Sequence, residues 1–220
     1  MKHDRFVSLA IRWWILISCA MCVIPSFGDA GFPSPGGVAQ PSERDPVLHP
    51  DVRRVLAEAT ERMSVLDVSG AEFMLRDALK HHPDAMPLWY MLAAAMIKQN
   101  EYQKARELLE ALLKRSPNDY RLLNNLSWML STASDTQFRD PVRALKLAQE
   151  AVLLAPDDYH VWSTLSEAHY INANVTQSLR VMRQCIELAK RNNASEATML
   201  SYQRQLQKIQ EAHSVLSLFE

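Results

Sequence analysis

Apolar positions along the chain recur with the period of amphipathic helices. Trp89, Leu92, Ala93 and Met96 stand at i, i+3, i+4 and i+7, and Trp162, Leu165, Ser166 and His169 keep the same spacing. Each set therefore marks one buried stripe on a helix. From Asp51 onward the chain is dominated by Ala, Leu, Met, Glu, Gln, Lys and Arg, the strong helix formers. Helix starts are predicted where a capping residue precedes Glu or Gln by three positions: Ser69 to Glu72, Asn100 to Gln103, Asn174 to Gln177 and Asn193 to Glu196. Asp140-Pro141 pairs a cap with proline at the first helical position.

The stripes belong to a repeat. Pro83, Pro117 and Pro156 are separated by 34 and 39 residues, and Ala71, Ala105, Ala144 and Ser178 by 34, 39 and 34. Ala78, Leu112, Ala151 and Cys185 repeat those intervals, as do Trp89, Leu123 and Trp162 with Leu92, Leu126 and Leu165. Two independent rulers thus give one period of 34 and one five-residue insertion between Leu126 and Ala144. The units run 51–84, 85–118, 119–158 and 159–192, two helices each, with a proline closing each of the first three. A last helix occupies 193–220. Its apolar positions, Met199, Tyr202, Leu206, Ile209, His213 and Leu216, alternate by three and four, which suits a cap on the open end or, as the alternative, a self-associating seam.

The segment LWYMLAAAMIKQNEYQKARELLEALLKRSP places Trp89, Leu92, Ala93, Tyr102, Ala105, Leu109, Leu112 and Pro117 at the positions that define the tetratricopeptide repeat, and the chain resembles that family over residues 51–192. LLNNLSWMLSTASDTQFRDPVRALKLAQEAVLLAP is similar to a bacterial variant with a lengthened internal turn. VWSTLSEAHYINANVTQSLRVMRQCIELAK is a third match with Lys190 in place of proline, and residues 51–84 fit in their second helix. The resemblance implies an all-α superhelix of about four stacked hairpins with a concave surface, because one hairpin cannot bury its apolar face alone. It also implies a protein or peptide partner.

Subtracting the buried stripe from each first helix leaves the strip that, by the resemblance, faces the concave groove. It holds Tyr90, Ala94, Ile97 and Lys98 in the second unit, Arg121, Asn124 and Trp128 in the third, and His160, Ser163, Glu167 and Tyr170 in the fourth. Aromatic anchors among polar groups suit an extended or helical peptide. The alternative for Trp128 and Ile97 is packing against neighbouring first helices or the inserted loop. A clamp for a C-terminal carboxylate is not expected, since His160 and Thr164 stand where that subclass has basic residues and only Asn125 fits. In the insertion, 131–141, Phe138 and Arg139 suit partner contact and a tether to the core equally well.

Residues 1–30 read as an export segment. Lys2 and Arg5 form a basic start, Trp13 to Ile24 is an apolar run, and small residues lie near a cleavage point after Gly28 or Ala30. Arg12 leaves open an apolar anchor over 6–27, and Leu16-Ile17-Ser18-Cys19 leaves open lipidation at Cys19. Residues 31–50, with three glycines and five prolines, read as a flexible linker.

Composition narrows the chemistry. Four of the five glycines lie before residue 38, so no phosphate-cradling loop is available in the repeats. A net charge of -1 argues against nucleic acid as a partner. Cys19 and Cys22 have redox spacing but fall in the export segment, which leaves Cys185 without an internal disulfide partner. His81-His82 sits at a helix end without a second ligand pair at metal spacing, so no metal and no cofactor is expected. His160 and His169 fall on different faces, and no nucleophile and base converge, so the protein reads as a non-enzyme. Asn125, Asn174 and Asn193 lie in glycosylation sequons, relevant only in a eukaryotic secretory pathway. The resulting expectation is an exported protein-binding scaffold or adaptor in the periplasm or at a membrane surface. Its alternatives are a structural self-associating protein, a homo-oligomer through the last helix, and a carrier of small apolar ligands.

Overall fold

The computed structural model describes residues 48–218 of the 220-residue chain. The export segment, the candidate anchor over 6–27, the lipidation site and nearly all of the linker lie outside the described residues. Among the described residues the chain forms α1 (Pro50–Ser64), α2 (Val68–His81), α3 (Met86–Lys98), α4 (Tyr102–Arg115), α5 (Tyr120–Thr132), a 3-10 turn (Thr136–Phe138), α6 (Pro141–Leu154), α7 (Tyr159–Ile171), α8 (Val175–Arg191) and α9 (Glu196–Leu216), with no strand. None of these helices is long and apolar enough to cross a membrane.

Helix ends follow local chemistry, with three shifts from the expected starts. Asp67 rather than Ser69 caps α2, its carboxylate accepting the Gly70 N–H at 3.0 Å. A Cβ at residue 70 would meet that carboxylate, so a larger residue there would push the capping side chain aside. Asn100 and Asn193 adopt positive φ, 62° and 53°, and end α3 and α8 rather than starting the next helix. Ser195 caps α9 instead, accepting the Thr198 N–H at 3.2 Å. At Asp140-Pro141 the carboxylate accepts the Arg143 N–H at 3.0 Å and the proline is the first residue of α6.

The repeat spacing corresponds to repeated contacts. Ala71, Ala105, Ala144 and Ser178 are wholly buried where the two helices of a hairpin approach most closely. Serines supplement this approach in the later hairpins: Ser127 Oγ donates to the Ala144 carbonyl at 2.8 Å, and Ser166 and Ser178 each donate to the other's carbonyl at 2.9 and 2.8 Å. The signature tryptophans share one bond. Trp89 and Trp162 donate from Nε1 to the carbonyls of Pro83 and Pro156, at 2.8 and 2.7 Å. Leu123 replaces the indole in the third hairpin and keeps only its packing.

Successive first helices α1, α3, α5 and α7 touch one another, whereas successive second helices make no comparable contact and pack between first helices. A stack that is closer on one side must curve toward it, so the first helices form the inner layer. One continuous core runs from Val52 through Leu88, Leu122 and Leu126 to Val161. A separate cluster joins Val175, Met182, Cys185 and Ile186 of α8 to Tyr202 and Ile209 of α9. Met199, Leu206 and Leu216 pack on that cluster, so the alternating seam of α9 faces the solenoid and serves as its cap.

The insertion folds back onto α4. The Phe138 ring lies 5.5 Å from Tyr102 with the Arg106 guanidinium 5.7 Å above it, and Tyr102 also holds the Ser134 N–H through its hydroxyl at 3.0 Å. Arg139 Nε donates to the Ala133 carbonyl at 2.6 Å, inside the loop. Both residues tether the turn.

Candidate functional site

The inner layer divides into two parts with different chemistry. The first lies where α3 meets α5. Asp119 caps α5, one carboxylate oxygen accepting the N–H groups of Arg121 at 3.0 Å and Leu122 at 3.3 Å, while the other accepts the Tyr90 hydroxyl. Burial and that adjacent carboxylate push the Tyr90 phenol far above its ordinary pKa, so it remains a donor. The Arg121 guanidinium lies 4.9 Å from the Tyr120 ring centroid and 5.8 Å from that of Tyr90. With Asp119 already occupied by three donors, the patch presents a cation stacked on aromatic faces.

The rest of the α3 and α5 strip is less available than its sequence suggests. Ile97 is 4% exposed within the continuous core, and Ala94 is buried beside it. Asn124 is 8% exposed, and the Asn125 amide next to it donates to the Tyr90 carbonyl at 3.4 Å. Lys98 reaches back to the Met63 carbonyl in the last turn of α1 at 2.9 Å, and burial lowers its pKa. A cation at that C-terminal end suits the helix dipole, which gives Lys98 an architectural use. Trp128 is half-buried.

The second part is α7, and α9 covers it. His160 Nδ1 is 3.1 Å from the Tyr202 hydroxyl, in a buried site flanked by the Tyr159 ring at 4.2 Å. Burial lowers the His160 pKa despite the Asp158 carboxylate nearby, so the imidazole is neutral at pH 7. Ser163 Oγ donates to Gln205 Oε1 at 3.2 Å. Glu167 accepts the Gln205 amide at 3.0 Å and the Lys208 ammonium at 3.3 Å, and the same ammonium stands 4.3 Å from the Tyr170 ring centroid. The structure thus joins His160, Ser163, Glu167 and Tyr170 into one surface that faces a helix of the same chain.

Several residues of this layer escaped the reading of the sequence. Asp119 and Tyr120 recur as Asp158 and Tyr159 at the 39-residue interval, a signal that was available. Tyr202, Gln205 and Lys208 lie at i, i+3 and i+6 on α9, where the two polar residues resemble a solvated face. Cys185 is buried with its thiol pointed at the Tyr159 carbonyl at 3.2 Å, and burial pushes its pKa up, which leaves it inert.

These features define an all-α solenoid of stacked helical hairpins with an inner layer of first helices. The tetratricopeptide repeat family model matches residues 67–127, from the cap of α2 into α5, so this segment carries the tetratricopeptide repeat. Among solved structures it is similar to the "MamA RS-1 ArsTM double mutant", at 14% identity and a TM-score of 0.47 over 75% of this chain and 97% of that one. It is also similar to "MamA 41-end from Desulfovibrio magneticus RS-1", at 20% identity and a TM-score of 0.45 over 63% of this chain and 75% of that one. A search of curated proteins finds no match.

Proposed function

We propose that the protein is an interaction scaffold that holds a peptide segment of a partner protein, extended or helical, along the inner layer of its second and third hairpins. The observation that carries this reading is the patch of Tyr90, Asp119, Tyr120 and Arg121. A guanidinium fixed over two aromatic rings has little rotamer freedom to lose on binding, and it offers donors to carboxylates or backbone carbonyls of a docked segment. Half-buried Trp128 extends the surface along α5. On α7, His160, Ser163, Glu167 and Tyr170 engage α9, so the partner surface is centred on α3 and α5.

Action outside the cytoplasm, in the periplasm or at a membrane surface, is part of the proposal and rests on the basic start and apolar run of residues 1–30. Self-association through the α9 seam has less support, because that seam packs on α8. The test is affinity capture from the native envelope with the wild type, Arg121→Glu and, as a charge-reversal control on α6, Lys146→Glu. A specific partner is expected to be retained by the wild type and Lys146→Glu and lost by Arg121→Glu, with unchanged melting temperatures. Equal capture by all three variants would contradict the proposed surface.

A further inference from the structure

Folding brings a third ligand to the histidines at the end of the first hairpin. His82 is the C-cap of α2, His49 the N-cap of α1 and Asp51 a member of the first turn of α1. Because α1 and α2 run antiparallel, these ends meet. One donor atom from each of the three residues lies within 4.8 Å of the others, and the His49 and His82 rings are 4.8 Å apart. The sequence could not show this, since 33 residues separate His49 from His82.

We propose that His49, Asp51 and His82 form a divalent transition-metal site, with Zn2+ as the ion that fits it best. Zinc holds imidazole nitrogens and carboxylate oxygens at about 2.0–2.2 Å, so two ligands of a tetrahedral site stand roughly 3.4 Å apart. His49 Nδ1 and Asp51 Oδ2 are 3.5 Å apart, already one edge of such a tetrahedron. The competing interactions are weak. His49 Nδ1 accepts the Asp51 N–H at a long 3.3 Å, and Asp51 Oδ1 lies 3.7 Å from Arg54, which leaves Oδ2 for the ion. His82, of intermediate burial beside the exposed His49 and Asp51, supplies the third ligand atom within 4.8 Å.

Two imidazoles and one carboxylate match a borderline cation such as Zn2+ better than Ca2+ or Mg2+, which take mainly oxygen ligands. Three protein ligands leave a fourth position to water. Bound there, the ion would clip the point where the chain enters the solenoid to the far end of the first hairpin. It would thereby couple metal supply to the order of the terminal repeat.

The test is a Zn2+ titration of the metal-stripped full chain, followed through the imidazole C–H resonances of each histidine and through calorimetry. The expected result is that His49 and His82 shift together and saturate with one equivalent. Asp51→Asn and His82→Ala are expected to weaken the shift of His49 by more than about tenfold, while His81→Ala leaves it unchanged. All three residues reach solvent, and far-UV circular dichroism checks that each variant stays folded. Metal taken up at His3 or at Cys19 and Cys22, with His49 and His82 unmoved, would overturn the site. So would a His49 shift that survives both Asp51→Asn and His82→Ala.

Discussion

The junction of α3 with α5 and the junction of α7 with α9 occupy equivalent places in the stack and are built from different chemistry. The first is apolar beneath its rim. Leu88, Leu92, Leu122 and Leu126 are each at most 2% exposed, and the polar groups above them form one patch around Asp119. The second draws its apolar contact from the α8–α9 cluster, while α9 reaches α7 through a phenol, an amide and an ammonium. Apolar burial is strong and indifferent to register, whereas a hydrogen-bonded junction holds one register and depends on the protonation state of its members. The polar bonds to α7 are therefore the part of the α9 attachment expected to respond to pH, beside the apolar cluster that holds α9 to α8.

Substitutions can sharpen that contrast. Leu122→Ala, in the apolar junction, is expected to cost about 3 kcal/mol, the usual size for a fully buried leucine, in chemical denaturation. In the polar junction, Tyr202→Phe leaves His160 Nδ1 buried without its partner and should cost about 1–2 kcal/mol, read in the same way. Lys208→Ala, which removes a half-exposed ammonium from Glu167, should cost less, about 0.5–1 kcal/mol. If Tyr202→Phe proved as costly as Leu122→Ala, the two junctions would not differ in kind.

The pH response separates the junctions without a large change in total stability. His160 in the folded chain has a pKa below the ordinary value of 6.5, so the unfolded state takes up a proton first as pH falls. The stability it contributes is complete above about pH 6.5 and erodes as pH drops from there toward its lowered value. Half-buried His169, also on α7 and also lowered by burial, adds in the same direction. Hydrogen exchange is expected to show α9 opening more readily at pH 5.5 than at pH 7.5, with α3 and α5 unchanged. A His160→Gln variant should flatten most of that response. Protection of α9 that does not vary with pH would remove His160 as its cause.

A comparably small effect belongs to the repeat signature. Trp89→Phe keeps an aromatic ring against the core but loses the bond to the Pro83 carbonyl and part of the indole's contact area, about 1 kcal/mol by thermal denaturation. A loss near zero would mean that packing, and not the indole bond, is why tryptophan recurs at Trp89 and Trp162.

Much of the fold was legible because its constraints are local and periodic. A close approach of two helices admits only Ala71, Ala105, Ala144 or Ser178, and that demand recurs whenever a hairpin does. The caps were less legible because Asn serves two ends of a helix: Asn100 and Asn193 take positive φ as terminators, although their spacing to Gln103 and Glu196 imitates a start signal. The groove strip was the least legible. Helical spacing shows which face of α3, α5 or α7 is not the stripe, but not that tertiary packing buries Ile97, Asn124, Ser163 and Glu167 on that face. Whether Gln205 and Lys208 face water or Glu167 depends on how α9 docks, which no local pattern encodes.

Incorporation of a photo-crosslinking amino acid at position 121, on the inner layer, and separately at position 73, an exposed site on α2, tests most directly where a partner binds. In cells of the native organism a discrete protein adduct is expected from position 121 and none of comparable yield from position 73. A discrete adduct from position 73 with none from position 121 would contradict an inner-layer binding surface.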